Sequence, residues 1–185
     1  GFDMHSLSAD PAFVSPTGTD AIRGNQDQQG LKFEYFPNKD FSGVPTATLY
    51  DRVVGFGPTW GNFRVAGPGD NQSFRWTGEV YLAQPGTYTF WISSLQPQRL
   101  TINNQLIIND FTTPSRVEKS GTYIAAAPGW VSLKYEVMDN TGQVQAYLTW
   151  ATPENSTQRY VRAYEPLTAG PAGIALSRNY LRYGS

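Results

Sequence analysis

The chain has 185 residues, no cysteine, one histidine and a net charge of −1. Without cysteine there is no disulfide, thiolate zinc site or cysteine nucleophile. Without a basic excess there is no face to neutralise nucleic-acid phosphates, so no nucleic-acid partner is expected.

The length allows one domain with a real core, plus tails. Residues 1–29 are rich in Ser, Pro, Thr, Asp, Gln and Gly and lack apolar periodicity, which predicts a linker or N-terminal arm. Both ends read as cut from a longer protein; no signal peptide is visible, and no apolar run reaches membrane-spanning length. From Gly30, Leu31, Phe33 and Tyr35 alternate with Lys32 and Glu34, the pattern of a first strand. Residues 41–72 mix short apolar pieces with Gly and Pro and predict a loop-rich stretch with one or two short strands. Trp60 lies in this stretch.

Next comes the clearest signal. In Phe74-Arg75-Trp76-Thr77-Gly78-Glu79-Val80-Tyr81-Leu82, the residues Phe74, Trp76, Val80 and Leu82 share one face. Ala83-Gln84-Pro85-Gly86 makes a turn. In the returning strand Tyr88, Phe90 and Ile92 share a face and Trp91 is thrown to the other. Leu100, Ile102, Leu106 and Ile108, split by Asn103-Asn104-Gln105, predict a hairpin with a polar tip. Val131, Leu133, Tyr135 and Val137 alternate with polar residues. Asp139-Asn140-Thr141-Gly142 turns the chain, and Val144, Ala146, Leu148 and Trp150 return. No helical period runs over three turns. The expected fold is all-β, an antiparallel barrel or sandwich over residues 30–165. Trp76, Phe90, Leu100, Ile102, Leu133, Tyr135, Leu148 and Trp150 are its predicted core. Residues 166–185 are expected to be a linker or C-terminal extension, with Ile174–Tyr183 a strand or short helix.

Several pieces in order resemble the PA-14 module, the domain of anthrax protective antigen, yeast flocculins and β-glucosidase inserts. They are Gly30-Leu31 leading to Tyr35-Phe36, Phe41-Ser42-Gly43-Val44-Pro45, Asp51, Phe74-Arg75-Trp76-Thr77-Gly78, Gly86-Thr87-Tyr88-Thr89-Phe90, Arg99 to Asn104, Pro128-Gly129, Tyr135-Glu136, and Leu148-Thr149-Trp150 with Pro153. The resemblance covers roughly residues 30–153. It implies an extracellular or cell-surface β module without catalysis. It also implies that sugar-binding members hold calcium through two consecutive aspartates, in the loop that here follows Trp91-Ile92-Ser93-Ser94. The matching positions are Leu95 and Gln96. Leucine offers no ligand oxygen and glutamine only a neutral one, whereas calcium favours several oxygens, carboxylates among them. No metal and no cofactor are therefore expected, and Asp139 in the second loop is a weak metal candidate.

Enzyme chemistry has little material. His5 lies in the arm, which leaves no histidine for a triad or zinc site inside the domain. The scattered carboxylates are expected to be surface charges, and Arg75 a structural ion pair or stacked guanidinium. The candidate binding residues are Trp91 and Trp60 as stacking platforms, with Gln96, Gln98, Asn103, Asn104 and Asn140 as amide partners for sugar hydroxyls. The bland alternatives are a covered Trp91 and solvated loop amides. Two functions follow: a non-catalytic module that binds glycan or assists adhesion without calcium, or a structural spacer that docks a neighbouring protein domain.

Overall fold

The computed structural model describes residues 22–23, 30–60, 63–65, 67, 69–111 and 117–162. Among them are twelve strands and no helix: β1 (Ile22–Arg23), β2 (Leu31–Phe36), β3 (Ala47–Asp51), β4 (Gly55–Trp60), β5 (Gln72–Leu82), β6 (Gly86–Ser93), β7 (Gln98–Ile102), β8 (Gln105–Asn109), β9 (Lys119–Ala125), β10 (Gly129–Asp139), β11 (Gln143–Thr152) and β12 (Asn155–Tyr160). All pairings are antiparallel. A seven-stranded sheet runs β3-β2-β5-β10-β7-β8, with β1 also on β5; a five-stranded sheet runs β12-β11-β6-β9, with β4 also on β11. The sheets are separate, so of barrel and sandwich the chain forms the sandwich.

The longest ladder joins β5 to β10, from Gly129 opposite Leu82 to Asp139 opposite Gln72, without a bulge. Strand alternation then sends every second residue inward. On the seven-stranded sheet, one row across the strands is Leu49, Phe33, Trp76, Tyr135, Leu100 and Ile108. The Trp76 ring lies 5.1 Å from Phe33 and 5.3 Å from Tyr135. The five-stranded sheet contributes Tyr88, Phe90, Ile92, Val144, Ala146, Leu148 and Trp150, and these form one buried cluster with the first row, except Leu49, which is exposed at the sheet edge. All eight residues expected in the core are buried.

The stretch between β2 and β5 holds two strands, β3 and β4, and Trp60 ends the second rather than lying in a loop. β9 and β12 are polar edge strands that sequence periodicity does not reveal. β1 falls within the segment expected to be an arm. Its Ile22 is buried and stands opposite Val80. The rest of residues 1–29, and the whole of 163–185 with the strand or helix expected at Ile174–Tyr183, lie outside the described residues.

Close approach explains two glycines. Gly30 has φ +85°, and a Cβ there would sit 2.4 Å from the Asp51 carbonyl oxygen. At Gly121 a Cβ would sit 2.4 Å from the Ile107 carbonyl, so β9 meets β8 where the two sheets adjoin.

Asp51, buried at the end of β3, accepts a hydrogen bond from the Trp76 indole N–H at 2.8 Å and pairs with Arg64. Burial pushes its carboxyl up, against the pull of Trp76 and Arg64. We expect Trp76→Phe to leave this carboxylate short of a donor and to cost about 1–3 kcal/mol, read as a lowered thermal midpoint. An unchanged midpoint would show that Asp51 finds its support elsewhere.

Candidate functional site

Two regions collect the candidate residues. The first is the loop end. Ser94-Leu95-Gln96-Pro97 connects β6 to β7, and Asn140-Thr141-Gly142 connects β10 to β11. Gln96 is buried, and its amide joins the two loops. Its Nε2 donates to the carbonyls of Thr141 at 2.7 Å and Gln143 at 2.9 Å, and its Oε1 accepts from the Asn140 amide at 3.2 Å. The residues before β5 add a second clasp: Gly142 N–H donates to Asp70 Oδ1 at 2.8 Å, and Asn71 N–H to the Asn140 carbonyl at 3.3 Å.

This geometry answers whether the residues fit calcium. Leu95 has no side-chain oxygen, the Gln96 amide is fully engaged, and no peptide bond among the described residues is cis. No group of three or more acidic, histidine or cysteine side chains converges there or anywhere else among the described residues. The loops do not fit the ion. A neutral crosslink stands where an ionic one was implied.

Gln98 is also buried: its Nε2 donates to the Val117 carbonyl at 3.3 Å, and its Oε1 accepts from Tyr135 Oη at 3.0 Å. Both glutamines expected to meet sugar hydroxyls are therefore turned into the protein. Asn103 and Asn104 do not join them. They form the β7–β8 turn with φ +48° and +61°, at the far end of β7 from Gln98, and Asn103 Nδ2 donates to Tyr123 Oη at 2.8 Å. A tight turn between two hydrogen-bonded strands favours αL asparagines, which accounts for both. Asn140 contributes its main chain to the clasp.

Asp139 is buried beside this clasp. Gln72 Nε2 donates to its Oδ2 at 2.8 Å, while Oδ1 has no partner. Burial, with a smaller contribution from Asp70 and against the Gln72 bond, pushes its carboxyl up to about 6.

The second region is the outer face of the five-stranded sheet. The residues of β11 that alternate with its buried set are Gln143, Gln145, Tyr147 and Thr149. Across the strands, Tyr160, Thr149, Trp91 and Ser120 form one row. Tyr147 stands opposite Ser93, and Gln143 opposite Trp60. Trp91 is half-buried and Trp60 is 75% exposed. The two tryptophans lie at levels six residues apart along β11, about 20 Å, with the Tyr147 and Tyr160 rings, 6.4 Å apart, near the Trp91 end. A Cβ at Gly55 would lie 2.9 Å from Tyr160 Cε1, so the glycine on β4 leaves room for that ring. Gln145 Nε2 donates to Ser93 Oγ at 3.2 Å, and Gln158 Nε2 to Thr149 Oγ1 at 2.8 Å and Glu118 at 2.9 Å. The Glu118 carboxylate reaches over this face through Gln158, which also holds Thr149, and the Arg162 guanidinium stands 5.8 Å from the Tyr160 ring. Apart from these two charges the strip is aromatic and rich in amides and hydroxyls. Its unforeseen members, Gln143, Gln145, Tyr147 and Thr149, were readable as the opposite parity of the strand whose apolar half is legible.

Two outcomes follow. Gln96→Leu removes the crosslink and strands the Asn140 N–H and two carbonyls, a loss of about 2–3 kcal/mol; millimolar calcium, by contrast, leaves the wild-type melting midpoint unchanged, and so does a chelator. A midpoint raised several degrees by calcium would contradict the fit test. For Asp139 the folded carboxyl lies above its ordinary 3.8. The folded chain therefore holds a proton that the unfolded chain has released. That stabilisation is complete below about pH 4 and is lost as pH rises through about 6. Asp139→Asn keeps an acceptor for Gln72 and is expected to raise stability at pH 7.5 by about 1–2 kcal/mol, flattening the decline between pH 4 and 6. An equal slope in both proteins would place the titration elsewhere.

Comparison with known proteins gives concordant results. A 128-residue stretch is 28% identical to the anti-sigma-I factor RsgI3 of Acetivibrio thermocellus, covering 69% of this chain but 20% of that protein. An anti-sigma factor domain-containing protein from Clostridium clariflavum superposes with a TM-score of 0.63 at 28% identity, covering 78% of this chain and 50% of the other. The PA14 sugar-binding domain of an RTX adhesin superposes with a TM-score of 0.59 at 16% identity, over 74% of this chain and 99% of the other; that likeness shows the fold. The chain thus spans a fifth of the curated relative and half of the solved anti-sigma structure. The PA14 domain model matches residues 27–161, and the chain belongs to the PA14 domain family.

Proposed function

We propose that this chain is a non-catalytic, extracellular recognition module that holds an uncharged, linear glycan on the outer face of its five-stranded sheet, without calcium. The observation that carries the reading is the chemistry of that strip. Aromatic rings at Trp60, Tyr147, Tyr160 and Trp91 alternate with Gln143, Gln145, Ser93 and Thr149. Rings offer apolar faces to the C–H faces of sugars at little entropic cost. Amides and hydroxyls both donate and accept, as sugar hydroxyls require. One carboxylate, Glu118, and one guanidinium, Arg162, offset each other there, which suits a ligand without net charge.

The anti-sigma relatives suggest the setting: a domain of a larger protein whose occupancy is read elsewhere in that protein. Glycan is then the partner and the parent chain the responder. A single open face without a metal gives weak binding, with Kd about 1 mM or roughly 4 kcal/mol, and repeated copies on a polymer would supply avidity.

Isothermal titration with neutral β-linked oligosaccharides of four to six units tests this. Trp91→Ala and Tyr147→Ala are expected to weaken binding at least tenfold each while retaining the wild-type melt, and a chelator is expected to change nothing. A chain that binds no neutral glycan, or whose affinity survives both substitutions, would instead be a spacer or a docking domain for a neighbouring protein.

A further inference from the structure

The opposite face of the sandwich has different chemistry. On the seven-stranded sheet the outward residues fall into rows fixed by register. One row is Tyr50, Lys32, Thr77, Lys134, Thr101 and Leu106, each directly opposite the next across six strands. The neighbouring row is Glu34, Arg75, Glu136 and Arg99. In it the carboxylates are sunk, 8% and 3% exposed, and held by cations: Arg75 lies 2.8 Å from Glu34, and Arg99 2.6 Å from Glu136. Burial alone would raise the Glu34 carboxyl, but Lys32 and Arg75 outweigh it and hold it below the usual range. Four cations thus face two neutralised carboxylates.

The lysines are the most accessible of the four cations, at 34% and 43%; Lys32 Nζ donates to Glu34 Oε1 at 2.6 Å, which leaves two of its three donors. Lys134 Nζ stands 3.7 Å from Glu136, beyond hydrogen-bond distance, and keeps its donors free. Around it is an open recess of about 510 Å³ lined by Thr77, Arg99, Thr101, Leu106, Ser132 and Lys134. The β7–β8 pairing shifts register after Leu100, and Leu106, 53% exposed, forms a wall of the recess. The hydroxyls of Thr77, Thr101 and Ser132 make no hydrogen bond among the described residues.

We propose that this face is a second binding site, one for a linear acidic saccharide whose carboxylates are met by Lys134 and Lys32. Charge complementarity fixes the sign of the ligand. The two lysines lie two strands apart, about 10 Å, on one straight row. In an extended β-linked chain, carboxylates on the same side recur at every second unit, so such a chain crossing the strands presents anions to both. Free hydroxyls suit the sugar body, and the apolar wall at Leu106 suits its C–H face. Two lysines on a chain of net charge −1 are too few for a nucleic-acid footprint.

The test is isothermal titration of the full chain with a hexamer of β-1,4-linked mannuronate, beside the neutral hexamer of β-1,4-linked mannose and inorganic polyphosphate. We expect millimolar binding of the mannuronate that weakens markedly between 0.05 and 0.5 M NaCl, falls at least tenfold in the K32Q/K134Q double variant, and is unchanged in Trp91→Ala. Both lysines are half-buried on the outer face, and a matching melting curve confirms that the double variant is folded. No binding, binding lost in Trp91→Ala, or polyphosphate bound as tightly as mannuronate would each overturn the proposal. The neutral hexamer with Trp91→Ala reads the five-stranded face separately, so failure at one face does not decide the other.

Discussion

The register between β5 and β10 is the constraint on which the molecule depends. Eleven consecutive pairs hold it, and both strands flank the middle of the larger sheet. A slip of one residue would turn Trp76 and Tyr135 to solvent and drive Arg75 and Glu136 into the core, an exchange of rings for unpaired charges. The neighbours β2 and β7 take their register from these two strands, so one choice of parity places the whole inner aromatic row and, on the other side, the whole charged row. The Asp51–Trp76 hydrogen bond ties the end of β3 to that same centre.

Parity also divides the molecule into two outer faces of different chemistry. One is dominated by aromatic rings and amides; the other is a ladder of buried carboxylates beneath cations. Between them, at the loop end, the polar groups are turned inward. Gln96 has three main-chain partners, and Gln98 has the Val117 carbonyl and the Tyr135 hydroxyl, so the loops are held by side chains that have nothing left to offer a ligand. The proposed recognition is therefore placed on the sheets and not on the loops. The strand surfaces are rigid because their backbone bonds are made, and a rigid face loses little entropy on binding.

Much of this was legible in the sequence because strands write their burial with period two. Phe74, Trp76, Val80 and Leu82 are one face of β5, and Tyr88, Phe90 and Ile92 one face of β6, with Trp91 outward as its position in the chain requires. Residue type misled where partners are distant in sequence. Gln96 reads as a solvated loop amide, and only its neighbours 44 to 47 positions away make it a crosslink. Asn103 and Asn104 look like binding amides, yet the hairpin geometry claims them for backbone reasons. β12 was hidden because its residues are polar on both faces, and β9 because its one apolar run, Tyr123-Ile124-Ala125, puts an isoleucine on the exposed face and so hides the alternation.

The central claim is that recognition lies on a strand face and needs no metal. Amide and indole NMR chemical shifts, recorded during titration of a neutral β-linked oligosaccharide with a chelator present, test it most directly. The account predicts shifts confined to Trp60, Trp91, Ser93, Gln143, Gln145, Tyr147, Thr149 and Tyr160. Shifts centred on residues 94–97 and 140–142 that appear only when calcium is restored would contradict it.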